Sequence, residues 1–184
     1  RGGRLEEAER EFNQAIATAR SVGAASEEAL SIYEKAWFEQ QKRNFDGAGI
    51  LFQQALHRLE GMGDDRNAGR ALLGLAFIAR RTGQFAEAIE LYDEAAQTSR
   101  VGDDPTGTAM AWIGLAQTHN QLSGLDAAAE HLLSALQLAE DLGATRLLMT
   151  AKLGQGDLQR QRGNTDEANA LYTAVHAWAK RNRV

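Results

Sequence analysis

With 184 residues, 43% of them hydrophobic, and a single proline beside 18 glycines, the chain can bury a sizeable core and run long helices, which excludes disorder and reads as all-α. Its 25 acidic and 20 basic residues give a formal charge of −5 with no long block of one sign, which argues against nucleic acid, whose phosphates call for a net basic face. The absence of cysteine excludes a disulfide framework or thiolate metal site, and with no signal-peptide core and no apolar run near the roughly 20 residues of a membrane span, a cytoplasmic protein without membrane association is the expectation.

Alanines stand at 8, 48, 88, 128 and 168, evenly spaced along the whole chain, and each carries matching neighbours. A large residue follows four later, and a small one usually seven later, so the three share one helical face. In chain order, Leu5, Ala8, Phe12 and Ala15 predict a helix over 4–21, the second helix of a truncated unit at 1–22. A full unit follows at 25–62, with Ala36 in its first helix and Phe45, Ala48, Phe52 and Ala55 in its second. The unit at 66–101 pairs Leu72, Leu75 and Ala76 with Phe85, Ala88, Tyr92 and Ala95. The unit at 106–142 pairs Trp112, Leu115 and Ala116 with Leu125, Ala128, Leu132 and Ala135. In the last, at 145–182, Gly156 faces Ala168, Tyr172 and Val175, while Lys152, Gln155 and Thr165 occupy usually apolar places, so this unit should pack least well.

Small residues of first helices against large residues of second helices allow close antiparallel pairing. Gly3, Arg43, Gly83, Ser123 and Gly163 mark the turns within units. Glycines in Ser21-Val22-Gly23, Gly61-Met62-Gly63, Val101-Gly102-Asp103 and Asp141-Leu142-Gly143 read as left-handed helix caps between units, with Asp or Ser capping the next helix. The prediction is about nine helices forming one array over 1–184. Because the chain opens on Arg1 inside a unit, it is expected to be a piece of a longer protein.

At Leu75-Ala76, Gly83-Gln84-Phe85-Ala86-Glu87-Ala88, Tyr92 and Ala95 the chain resembles the tetratricopeptide repeat family. The variant is a long one: its period exceeds the family's usual spacing of about 34 residues, and the proline that often ends a unit is missing. The resemblance implies a right-handed superhelical solenoid of antiparallel helix pairs, whose inner wall holds protein or peptide ligands. The longer variant is similar to arrays in cell-polarity adaptors and bacterial signalling and transcription-regulatory proteins. The family's groove for a chaperone C-terminal carboxylate is not matched: Tyr33, Trp37 and Gly74 stand where Lys and Asn would be needed.

Nothing in the sequence nominates an enzyme, a metal site or a cofactor. His57, His119, His131 and His176 lie in different registers without ligand spacing. The glycine clusters lack the Lys-Ser/Thr of a phosphate loop, and the acidic pairs at Glu6-Glu7, Glu27-Glu28 and Asp64-Asp65 suit helix starts.

Registers fifteen, eleven and eight before each anchoring alanine share one face of the first helices. They hold Tyr33, Leu73, Ile113 and Leu153; Trp37, Phe77, Gln117 and Asp157; and Gln40, Arg80, Asn120 and Arg160. Large apolar residues dominate the N-terminal half. Either this wall is a groove or it is additional core for a long first helix.

The groove prediction assigns partner contact to Tyr33, Trp37, Arg70, Leu73, Phe77, Arg80, Ile113, Gln117 and Asn120. Arg70 and Arg80 would offer two guanidinium groups to an amphipathic, acidic protein or peptide. The alternatives are a ligand-sensing module of a larger bacterial regulator and a self-associating structural array. Tyr172, Val175 and Trp178 form an apolar stripe with no following unit to cover it, so either the natural chain continues past Val184 or this end self-associates as a homo-oligomer.

Overall fold

The computed structural model describes residues 2–182, with side chains from Leu5 onward. Among these residues nine helices run in succession: α1 (Gly2–Ser21), α2 (Ala25–Gln41), α3 (Phe45–Gly61), α4 (Asp65–Arg81), α5 (Phe85–Val101), α6 (Pro105–Gln121), α7 (Leu125–Asp141), α8 (Thr145–Gln161) and α9 (Thr165–Asn182). This is the all-α solenoid that the evenly spaced alanines predict. Arg1, Gly3 and Val184, on which the expectations about turn register and chain ends also rested, lie outside the described side chains.

The backbone repeats at half the sequence period. Helices α2 to α8 are each 17 residues long. A residue of positive φ closes every connection, at Gly23, Arg43, Gly63, Gly83, Asp103, Ser123, Gly143 and Gly163, evenly spaced and twice as often as the anchoring alanines. Each turn carries the same pair of bonds: Gly63 N–H donates to Glu60 O at 3.0 Å and Asp64 N–H to Leu59 O at 2.9 Å, satisfying two of the helix's last carbonyls. The residue after the left-handed position immediately precedes the next helix, and where it is Asn44, Asp64 or Asp104 its side chain caps that helix by accepting from the first turn. One expected cap is displaced: Gly102 sits at φ −78 and Asp103 takes the left-handed place at φ 49. Gly102 is required for a different reason, since a Cβ there would strike the backbone of Arg66.

Successive helices pack against one another along the chain, and α2, α4, α6 and α8 also touch in sequence. Among the described residues the odd-numbered helices make no such contact with each other. A stack whose even helices converge while its odd helices spread must curve, with the even helices on the concave side.

Alanines supply the close approach, with Ala36, Ala48, Ala76, Ala88, Ala128 and Ala168 all buried. The large side chains of second helices then cross into the following unit. Phe52 lies over Gly74, Tyr92 over Gly114 and Leu132 over Gly154, glycines that recur at the same interval as the anchoring alanines. The last unit departs from this. Tyr172 lies over Gly156 of its own unit and its hydroxyl donates to Asp157 Oδ1 at 2.7 Å, while Val175 is buried. The C-terminal stripe expected to be uncovered is therefore largely turned inward against α8, with Trp178 half-buried.

At the other end, Glu28 on α2 joins the neighbouring helices, accepting from Arg20 at 2.9 Å and Arg58 at 3.4 Å. The Arg20 hydrogen bond, aided by Arg58, holds its carboxyl below the usual range against a desolvation penalty.

Candidate partner-binding groove

Because α2, α4, α6 and α8 lie side by side, residues spaced i, i+4 and i+7 on each of them form a common wall. A cavity of about 330 Å³ opens in it. Tyr33 and Trp37 of α2 form one side, and Arg70, Leu73, Phe77 and Arg80 of α4 the middle. Ile113 and Gln117 of α6 close the other side. The structure thus brings every sequence-predicted residue but one to a single cavity. Asn120 is the exception: it is buried and does not line the cavity. Ile113, only 2% exposed, serves as floor and not as a projecting anchor.

Tyr92, Met110, Gly114 and Thr150 complete the lining and were not predicted. Tyr92 belongs to a second helix, and reaches the concave side because Gly114 leaves room for its ring. The sequence did carry that signal in the even spacing of Gly74, Gly114 and Gly154. Thr150 had no comparable mark.

Groove and core are not separable here. Phe52, fully buried, stands edge-on to both Tyr33 and Trp37, with ring centroids 5.9 and 6.0 Å apart. The far sides of the half-buried Tyr33 and Trp37 face the cavity. The aromatic wall is therefore the outer layer of the core and the inner surface of the groove at once.

The two arginines differ. The Arg80 guanidinium lies over the Phe77 ring at 5.6 Å, and its Nε is buried without a hydrogen-bond partner. Burial raises the pKa of the Tyr92 phenol, with Arg80 opposing that shift; burial raises Tyr33 likewise. Arg70 is not the free guanidinium expected. Its Nε donates to Asp104 Oδ2 at 2.9 Å, a carboxylate that also caps α6 by accepting from Gly107 N–H at 3.1 Å. Arg70 thus ties α4 to the start of α6 while its exposed remainder lines the cavity.

No carboxylate lines this cavity. Leu153, Asp157 and Arg160, in the same columns on α8, stand outside it. Elsewhere His119 and His131 stack at 5.6 Å. Among the described residues no group of three metal-binding side chains converges, and no helix is long and apolar enough to cross a membrane.

Residues 67–141 match the profile of the tetratricopeptide repeat family. No curated protein matches the chain. Among solved structures it is similar to BtubC (BKLC) from P. vanneervenii, with a TM-score of 0.77 and 20% identity over 96% of this chain and 74% of that one. It is also similar to a Rap protein complexed with competence and sporulation factor, with a TM-score of 0.77 and 18% identity over 86% of this chain and 44% of that one. A third is a signal transduction ATPase with a tetratricopeptide repeat sensor from Pyrococcus horikoshii, with a TM-score of 0.74 and 19% identity over 98% of this chain and 28% of that one. At these identities the likeness is one of fold.

Proposed function

We propose that the chain, whose residues 67–141 match the tetratricopeptide repeat family and whose described helices stack as a repeat solenoid like that of BtubC, is a non-catalytic scaffold holding a peptide or a partner's exposed segment in its concave groove. The observation that carries this is the cavity itself: aromatic and aliphatic side chains of three successive first helices meet there around Arg80, whose Nε lacks a partner. Apolar anchors in a concave wall supply affinity, and the cationic edge sets orientation and favours an amphipathic segment with acidic character. Trp37 and Phe77 are the principal anchors.

The test begins with peptides selected from a random library displayed on phage, using the whole chain as bait. Their affinity is then compared between the chain and its Trp37→Ala and Phe77→Ala variants. Loss of binding by about tenfold or more in each, with the fold retained by circular dichroism, is expected. Peptides that bind all three proteins equally would place the site elsewhere.

A second role is supported by the company of the fold. Rap is complexed with competence and sporulation factor, and the Pyrococcus protein carries a tetratricopeptide repeat sensor. On this reading the same groove makes the array the sensing part of a larger regulator, and ligand binding alters the curvature. Small-angle scattering with and without a selected peptide checks it: an unchanged scattering profile argues for a passive scaffold.

A further inference from the structure

A second cavity of about 430 Å³ lies between α6 and α8. Leu147 and Ala144 form its apolar side, Thr106 and Thr145 its edge, and Met110 and Thr150 line it together with the first cavity. The two are therefore neighbouring stations on one wall, separated by the Met110 side chain, itself 41% exposed. Arg146 stands at the second station and makes no ion pair among the described residues.

The charge distribution marks this wall out. The chain carries a net −5, and three further cavities have carboxylates in their linings: Glu11 and Glu27 in one, Glu9 and Glu39 beside Lys35 and Lys42 in the next, and Asp166 and Glu167 in the third. The two adjoining cavities contain Arg80 and Arg146, neither of them in an ion pair among the described residues, and Arg70, whose charge Asp104 answers from outside the lining; no carboxylate lines either cavity. An apolar trough whose unpaired charges are Arg80 and Arg146 favours an anionic occupant with apolar side chains, and disfavours a basic one.

We propose that the groove is a two-station site for one extended acidic peptide, with one apolar side chain in the Trp37–Phe77 cavity, a second in the Met110–Leu147 cavity, and a carboxylate on Arg146. This rests on the groove function proposed above and extends it along the wall to the start of α8. With helix axes about 8–10 Å apart, the wall from α2 to α8 spans three such steps, a length that about eight or nine extended residues cover at roughly 3.3 Å each.

The probe is the set of phage-selected peptides described above, made with a fluorescent label and titrated by anisotropy. Arg146→Glu reverses the charge at the second station, and Thr106→Asp adds a carboxylate there. Both positions are exposed, and an acidic residue in the first turn of α6 suits the helix dipole, so neither change threatens the fold. The expected result is a selected set that is acidic with two apolar positions, and an affinity loss of about tenfold from each of the two variants as well as from Trp37→Ala. If Trp37→Ala weakens binding and the second-station variants do not, the two-station proposal falls and the groove stands. If none of the three weakens binding, or if selection returns no binder, both fall. A selected set that is basic overturns the charge argument and the proposal with it.

Discussion

The ring of Phe52 occupies the place where a side chain at Gly74 would begin: a Cβ built there would stand 2.5 Å from the ring. Phe52 is fully buried and supports Tyr33 and Trp37 from behind, so it cannot give way without disturbing the groove. Gly74→Ala is therefore expected to destabilise the fold by about 1–3 kcal/mol from overpacking, although alanine by itself favours a helix by about 1 kcal/mol. Gly49, in α3, has nothing within 4 Å of the same position. Gly49→Ala should raise stability by about 0.5–1 kcal/mol, and urea unfolding of the two variants would show the opposite signs.

Trp37→Ala removes an anchor that also leans on the core. Because Trp37 is half-buried, its loss should lower stability by about 1–3 kcal/mol, short of the roughly 3–5 kcal/mol of a wholly buried aromatic. Binding of a selected peptide should weaken by about 2 kcal/mol or more. Arg80→Glu should reduce binding to acidic peptides with a smaller change in melting temperature. A stability loss from Trp37→Ala at the full core value, with binding intact, would make the wall core alone.

Asp104 performs two tasks from a buried position, capping α6 and holding Arg70. Asp104→Ala removes both and should cost about 2–4 kcal/mol, a cap worth about 0.5–2 and a charge-assisted bond worth about 1.5–3. The figure should lie toward the lower end because Arg70 is 39% exposed and regains water. Asp104→Asn keeps an acceptor for Gly107 N–H and should lose less. Equal losses in the two variants would mean that the cap contributes little.

Burial, reinforced by the neighbouring His119, lowers the pKa of His131 below its ordinary 6.5, while Asp93 and Glu130 oppose the shift. The unfolded chain then binds this proton more readily than the folded one, so stability should fall as pH drops below about 6.5, until His131 is protonated in the folded state too. Replacing it by glutamine should flatten that part of the stability–pH curve. A wild-type curve that is level across this interval, or one unchanged by His131→Gln, would refute the assignment.

Hydrogen exchange should be faster at the C-terminal end than in the middle of the array. In α9 only Ala168 and Val175 are buried, whereas α5 buries Ala88, Tyr92, Ala95, Ala96 and Ser99. Repeat arrays open from their ends because each unit is held by its neighbours. Amides of 168–180 are thus expected to exchange well before those of 88–100, and comparable protection would contradict this.

The helices were legible because their apolar residues recur at one fixed interval, with large and small side chains in constant places. The shorter backbone period, half that interval, was not, because Arg43, Asp103 and Ser123 occupy left-handed positions that glycine fills elsewhere, and Gly102 beside Asp103 pointed to the wrong residue. The groove was legible on first helices, where spacing alone decides which side chains share a face. Tyr92 was signalled only indirectly, by the evenly spaced glycines that make room for second-helix rings, and Thr150 carried no mark. Asn120 shares its column with Gln40 and Arg80, but it is buried and lies outside the cavity lining. The commitment of Arg70 to Asp104 could not be read from two residues so far apart in sequence and in different units.

The uniform turns make the seams of this array interchangeable. If residues 65–104 were excised, Asp64, which closes one turn, would lead directly into Pro105, which follows the equivalent closing residue Asp104 and is the first residue of α6. The ring of Phe52 would then meet Gly114 in place of Gly74, a glycine of the same register already shaped to receive the ring of Tyr92. A chain shortened by one whole unit should consequently fold with its joints intact while losing Arg70, Leu73, Phe77 and Arg80 from the concave wall. Length and recognition would be cut apart at a single splice.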